Sequence, residues 1–289
     1  HRGRRAILFH SLITDDTVPI LYDCLRRSGH TDRTDLVLST VGGAIPSTRQ
    51  VAMLVREFTD ELSILVPYRA RSAGTLLCLS ADELVLGPLA ELGPIDSLMG
   101  SDGAPATDTP GTISAEDIRA FRAMAEDWFG IERPEDRLQV LALLAARIFP
   151  TSLSSFYRFD KLIREVAAEL LSFQLPGEHR QAERNAVVDR LVSGYHSHDA
   201  VISRRDARTL GLRAVDASPA EEELLWSLWQ AVHSPAHGDS DSKEQVIGVL
   251  AGADFAARHV VHRSFDAAPD GTRPDRSPVA VHAGWEVSG

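Results

Sequence analysis

The sequence predicts an α/β fold in which a parallel sheet is covered by helices. Three observations predict it. Short apolar runs recur at residues 5–9, 35–39, 62–66 and 84–86, each the length of a buried strand. Segments with helical spacing of apolar residues lie between them. Gly, Pro, Asp and Ser mark the changes of period. Strands that alternate with helices at this spacing build a parallel sheet with helices on its faces.

After the strand at 5–9, residues 18–27 place Ile20, Leu21, Cys24 and Leu25 on one helical face. Thr40-Val41-Gly42-Gly43 breaks the second strand, and 45–58 is helical again. Pro67 ends the third strand, 72–80 is an apolar helix, and a Gly- and Pro-bearing stretch at 87–95 comes after the fourth strand. Residues 99–112 are rich in Gly, Pro, Ser and Asp and read as a loop. Helical periodicity returns over 114–129, 134–149, 154–171 and 178–193, with Ser114 and Asp117 spaced as an N-cap pair. Pro150 and Pro176-Gly177 separate three of these helices. Residues 204–216 read as a short helix ending at Gly211 and then a strand, and 219–233 as a further helix. A polar linker at 234–242 leads to a tail with one apolar run, 246–250, to which the pattern assigns no fold. The expected organisation is a core at 1–98, a linker at 99–113, a helical region at 114–233 with a returning core segment at 191–216, and the tail at 234–289.

Composition narrows the classes. The chain has 289 residues, 44% hydrophobic and 25% charged, enough for a sizeable core. A formal net charge of −11 argues against nucleic acid as a partner, because phosphate neutralisation needs clustered Lys and Arg. No uninterrupted apolar run reaches the ~18 residues of a membrane helix. Arg2, Arg4 and Arg5 lead into a short apolar run, not a secretory signal. The first residue is His, which leaves open a preceding segment and with it a membrane anchor. Cys24 and Cys78 lie in apolar contexts and read as buried free thiols of a cytoplasmic protein. His196, His233, His237, His259, His262 and His282 lack metal-ligand spacing, and no cofactor is expected.

Three pieces fit one chemistry. Gly42-Gly43 comes directly after a strand, where paired glycines let backbone approach a substrate closely. Arg71-Ser72-Ala73-Gly74-Thr75 lies between a strand and a helix, which places the Ser72 hydroxyl near a helix N-terminus. The Ala73 N–H, with an N–H from Gly42 or Gly43, forms a candidate oxyanion hole for acyl transfer. The third piece is the tight turn Leu92-Gly93-Pro94-Ile95-Asp96. Taken singly, a Gly pair is a turn and a serine here is a helix cap. Their combination, one helix and one strand apart, is more specific. Residue 70 is Ala, so the GxSxG elbow is not matched.

Residues 66–96 resemble the serine dehydrogenase proteinase family, relatives of signal peptide peptidase A and the Clp protease proteolytic subunit. Thr40, Gly42 and Gly43 match the family's Thr-Pro-Gly-Gly motif. Val66, Pro67, Ser72, Ala73, Gly74 and Thr75 match its nucleophile segment. Ala81 to Glu83 and Leu92 to Asp96 match the two motifs that come next in the family. His198, Asp199, Ile202, Ala207, Gly211 and Leu212 resemble a later family segment. The resemblance covers residues 5–232 and implies an α/β, Clp/crotonase-like fold of repeated β-β-α units with appended helices. It also implies a serine peptidase with Ser72 as nucleophile, a peptide or protein substrate and a homo-oligomer. Val41 stands where the family has Pro, Arg71 where it has a small or apolar residue, and Ser97-Leu98 where it has Pro-Gln.

Serine needs a base. The histidine that the Clp subunit places after its serine has no counterpart, since no histidine lies between His30 and His179. Signal peptide peptidase relatives use a lysine, and Lys161 is the lysine of the helical segment. Its bland reading is a solvated helix residue paired to Glu165. The rival is His198, with or without Asp199, although neighbours on one strand point to opposite faces. Two other classes share the fold: a crotonase-type acyl-CoA enzyme, which needs no serine at 72, and a degenerate scaffold subunit.

Overall fold

The computed structural model describes residues 2–96, 98–99, 113–131, 133–146, 148, 150–236, 244–264 and 280–288. The chain forms two compact units, one of His1–Leu92 and Val201–Gly289, the other of Gly93–Ala200.

The first unit opens with β1 (Arg5–His10), α1 (Thr17–Ser28), β2 (Thr31–Ser39), α2 (Ile45–Glu57), β3 (Thr59–Val66), β4 (Arg69–Ala70), α3 (Ala73–Cys78), β5 (Glu83–Leu86) and β6 (Glu91–Leu92). Strands β1, β2, β3 and β5 pair in parallel. After each of β1, β2 and β3 the chain makes a short second pairing before entering its helix. Ile13 bridges Gly43, Thr40 bridges Ala70, and β4 pairs with β6, all in parallel. This is the β-β-α repeat expected for the fold.

The second unit is mainly helical. A two-stranded ribbon of β7 (Leu98–Met99) and β8 (Ile113–Ser114) leads into α4 (Ala115–Phe129), α5 (Pro134–Ala145), α6 (Pro150–Gln174) and α7 (Gln181–Ser193). The expected loop at 99–112 lies almost wholly outside the described residues. Ser114 caps α4 in a reciprocal box with Asp117, at 3.0 and 2.8 Å. Helix α5 stops at Ala145, short of the predicted 149, and α6 starts at Pro150, because proline fits the first turn of a helix and not its interior.

The chain then returns to the first unit as β9 (Ile202–Ser203), α8 (Arg204–Thr209), β10 (Ala214–Asp216), α9 (Pro219–Ala236), β11 (Glu244–Gly252), β12 (Phe255–Ser264) and β13 (Ala280–Ser288). The main sheet has eight strands in the order β10-β5-β3-β2-β1-β11-β12-β13. The tail, to which the sequence pattern assigns no fold, supplies the three antiparallel strands beyond β1.

Register explains the core. Ala251, Leu8, Val37, Leu65 and Val85 form one lateral row across five strands. Leu225 of α9 packs on that row, with Leu228 and Val232 beside it. The alternating residues Ile7, Leu36, Ile64 and Leu84 face the other way. They are fully buried. Both faces are therefore covered, which is why these strands read as continuous apolar runs.

The amino end of the sheet is locked by charge. Arg2 pairs with Asp35 at 3.0 Å, Glu83 at 3.3 Å and Glu221 at 2.7 Å. Arg56 pairs with Asp82 at 2.7 Å, and Asp82 accepts the Leu62 N–H at 2.8 Å. Burial raises the Asp35 carboxyl above its ordinary range, and Arg2 and Arg4 pull it back. Ionised Asp35 therefore costs stability as pH rises through that range, and Arg2 offsets the cost. Arg2→Met should destabilise the protein by about 2 kcal/mol at pH 7. Urea melts at pH 7 and pH 4 should show the deficit narrowing in acid, and Asp35→Asn should restore part of it at pH 7.

Candidate active site

Residues 40–43 and 69–74 meet at the carboxyl ends of β2 and β3. Thr40 donates its N–H to Arg69 O at 2.8 Å, and its carbonyl accepts the Arg71 N–H at 3.1 Å. The Thr40 hydroxyl accepts the Gly42 N–H and donates to Gly42 O, both at 3.1 Å, which fixes the turn after β2. On the other segment the Gly74 N–H donates to Arg71 O at 2.7 Å, and Thr75 Oγ1 donates to Ala70 O at 2.8 Å.

Gly42 and Gly74 permit this approach, and Gly43 permits that of the same loop to Ile13. A Cβ on Gly42 would lie 3.1 Å from Ser72 Cβ and 3.3 Å from Arg71 O, at a φ of +129°. One on Gly43, at φ +151°, would lie 2.1 Å from Ile13 O. One on Gly74 would lie 2.5 Å from Thr40 Cγ2. Gly42 and Ser72 are therefore in direct apposition.

Ser72 has φ 51° and ψ −116°, and among the described residues it is the one non-glycine residue with positive φ. That conformation costs about 1–3 kcal/mol and persists where surrounding structure enforces it. Its side chain makes no cap bond to α3, although it occupies the N-cap position. The hydroxyl is thus held on a strained turn and is not used as a helix cap. The residue spacing excludes the GxSxG elbow, yet the backbone makes a comparably sharp strand-to-helix turn. Among the described residues neither the Gly43 nor the Ala73 N–H has a hydrogen-bond partner. The Gly42 N–H is already engaged by Thr40. Helix α3 has six residues, so charge stabilisation here rests on individual N–H groups more than on a long dipole.

Ser72, Ala73, Gly42 and Gly43 lie together in the first unit, whereas Lys161, His198 and Asp199 belong to the second. Lys161 sits on α6, exposed, with Nζ 5.7 Å from the Tyr157 ring centroid. His198 and Asp199 occupy a turn, to which the opposite-faces geometry of a strand does not apply. In that turn the Asp199 N–H donates to Ser197 Oγ at 3.1 Å. His198 is half-buried, and its Nδ1 has no hydrogen-bond partner among the described residues. The cysteines fit their inert reading. Burial pushes the Cys24 thiol up to about 11 and raises that of Cys78 as well. No group of three or more metal-ligating side chains occurs among the described residues, and His237 lies outside them.

Asp82 and Glu83, part of the motif that carries the family resemblance, hold structure together through Arg56 and Arg2. No local cue marks Thr40 as the clamp, because its role depends on a bridge to Ala70, about thirty residues later.

Known proteins share parts of this chain. Residues 6–110 match the ClpP-like SDH-type serine proteinases. The matched span holds the whole Ser72 turn and both glycines of the β2 loop. The match and the β-β-α repeat agree on the Clp-like fold class. An uncharacterised protein of Methanocaldococcus jannaschii is 25% identical over 230 residues, covering 79% of this chain and 69% of its own length. A second from the same organism is 33% identical over 66 residues, 23% of each chain. Among solved structures, the membrane-bound stomatin-specific protease 1510-N aligns with a TM-score of 0.45 and 13% identity, over 77% of this chain and 82% of that one. ClpP1 from Listeria monocytogenes aligns with a TM-score of 0.38 and 12% identity, over 75% and 94%.

Ser72→Gly relieves the positive φ, whereas Ser72→Ala retains it. The glycine variant should therefore be more stable than the alanine variant by about 1 kcal/mol, read as a higher urea midpoint at unchanged slope.

Proposed function

We propose that the protein is a serine peptidase that works through an acyl-enzyme at Ser72. The observation that carries the reading is Ser72 itself: a serine forced into positive φ, with a hydroxyl that caps no helix, next to the unpartnered N–H of Ala73 and against Gly42, whose neighbour Gly43 has a second unpartnered N–H. Such strain is seldom retained without a use.

The chemistry has two halves. Ser72 Oγ attacks the scissile carbonyl carbon, and its proton passes to a base. The carbonyl oxygen gains negative charge and accepts the Gly43 and Ala73 N–H groups, each worth roughly 3–4 kcal/mol in acyl transfer. The C–N bond then breaks, the base returns the proton to the leaving amine, and an ester remains on Ser72. Water attacks that ester, gives its proton to the base and releases the acid, and Ser72 regains its hydrogen. The base is Lys161 or His198, the latter with Asp199 as an orienting partner.

A peptide or protein substrate and a homo-oligomer go with this reading. A crotonase-type acyl-CoA enzyme would have no use for a strained serine, and a mere scaffold would have none for open N–H groups. Among the described residues no single helix is long and apolar enough to cross a membrane.

A fluorophosphonate probe tests the proposal. Wild type should label at Ser72, and Ser72→Ala should not. One of Lys161→Ala and His198→Ala should slow labelling about 10²–10⁴-fold, which names the base. Gly43→Ala should slow it about 10²–10³-fold, because its Cβ displaces the loop against Ile13. A folded wild type that never labels would overturn the reading in favour of a scaffold.

A further inference from the structure

The first unit contains a cleft of about 250 Å³ that acyl transfer at Ser72 leaves unassigned. It lies at the carboxyl ends of β1, β2 and β3, where α/β sheets bind ligands. His10 ends β1, Thr40 comes after β2, and Tyr68 and Arg69 come after β3. Trp229 and His233 of α9 form the facing wall.

The charge of this cleft opposes that of the whole chain. Its ionisable lining consists of His10, Arg69 and His233 with the Tyr68 phenol, and no carboxylate lines it. The chain carries a net −11. The basic groups are also held in place. Arg69 gives its Nε–H to Glu91 at 3.2 Å, and its guanidinium lies 4.4 Å over the Tyr68 ring. The other Arg69 N–H groups have no hydrogen-bond partner among the described residues. His233 stacks on Trp229 at 4.1 Å, and the His10 ring meets it edge-on at 6.4 Å. Trp229 is braced by Trp226 at 4.7 Å and by the edge of Tyr68 at 5.2 Å.

The cleft also adjoins the Ser72 turn. Thr40 and Val41 wall it and continue into Gly42, which abuts Ser72. Arg69 walls it and stands three residues before Ser72. We propose that the cleft binds a carboxylate of the substrate next to the scissile bond, supplied by an acidic side chain or by a free C-terminus. A planar guanidinium, in a lining that also holds two imidazoles, matches a carboxylate in shape and charge. The inference deepens the peptidase reading and rests on Ser72 being its nucleophile.

Calorimetry on the full chain bearing Ser72→Ala tests it with three probes: N-acetyl-tetra-alanine as the free acid, the same peptide as its amide, and N-acetyl-Ala-Ala-Glu-Ala amide. At least one carboxylate peptide should bind tenfold or more tighter than the neutral amide. Selectivity for the free acid names the C-terminus, and selectivity for the Glu peptide names the side chain. Arg69→Met and His233→Ala should each reduce the selectivity, with Arg69→Lys, which keeps the charge, retaining part of it. Equal binding of all three peptides, or no binding, overturns the proposal, as does selectivity that survives Arg69→Met. Probe labelling of wild type separates the two readings. Labelling without carboxylate selectivity counts against the cleft alone, and selectivity without labelling counts against Ser72 alone.

Discussion

The bridge between Thr40 and Ala70 is the constraint that holds the candidate site together. It is a single parallel pairing, two hydrogen bonds long, yet it brings the loop after β2 against the turn after β4. Once that pairing is made, side chains at 42 and 74 would crowd the facing segment, so these positions are glycine, as is 43 where the neighbouring bridge sets it against Ile13. The same closeness leaves Ser72 nowhere to relax, and its backbone takes up the strain. The fold thus supplies rigidity at the carboxyl ends of the strands through close backbone approach. At the amino ends it uses a different device, arginines spread over carboxylates on several elements.

Between those ends the row from Ala251 to Val85 does the ordinary work of burial. Its contribution is to register as much as to stability. A slip of one residue in any strand would turn its row away from α9 and bring its opposite face forward. Because both faces are apolar, hydrophobicity alone would not forbid such a slip. The small second ladder does, since it sets each strand end against the next.

Local signals in the sequence disclose most of the first unit. The four apolar strands, the glycine pair and the serine between strand and helix each carry their meaning within a few residues. Other parts depend on distant partners. Strand β4 is two residues long and has no period to detect. Strand β11 pairs with β1 and in turn carries β12 and β13, and a register shift between Val246 and Gly248 disturbs the alternation that would mark β11. His233 reads as a solvated residue because nothing in its neighbourhood announces His10, more than two hundred residues earlier, across the cleft. The sequence pattern assigns no element to His198 and Asp199, and a local turn at Ser197 places them.

The position of β1 has a consequence for the order of assembly during synthesis. It is an interior strand with β2 on one side and β11 on the other. The first partner lies about thirty residues away in the register, and the second more than two hundred. While the ribosome makes the intervening chain, one flank of β1 exposes bare N–H and C=O groups beside an apolar face, which is the kind of edge that recruits foreign strands. The nascent protein is thus most vulnerable to aggregation after β1 to β3 have been made and before β11 emerges.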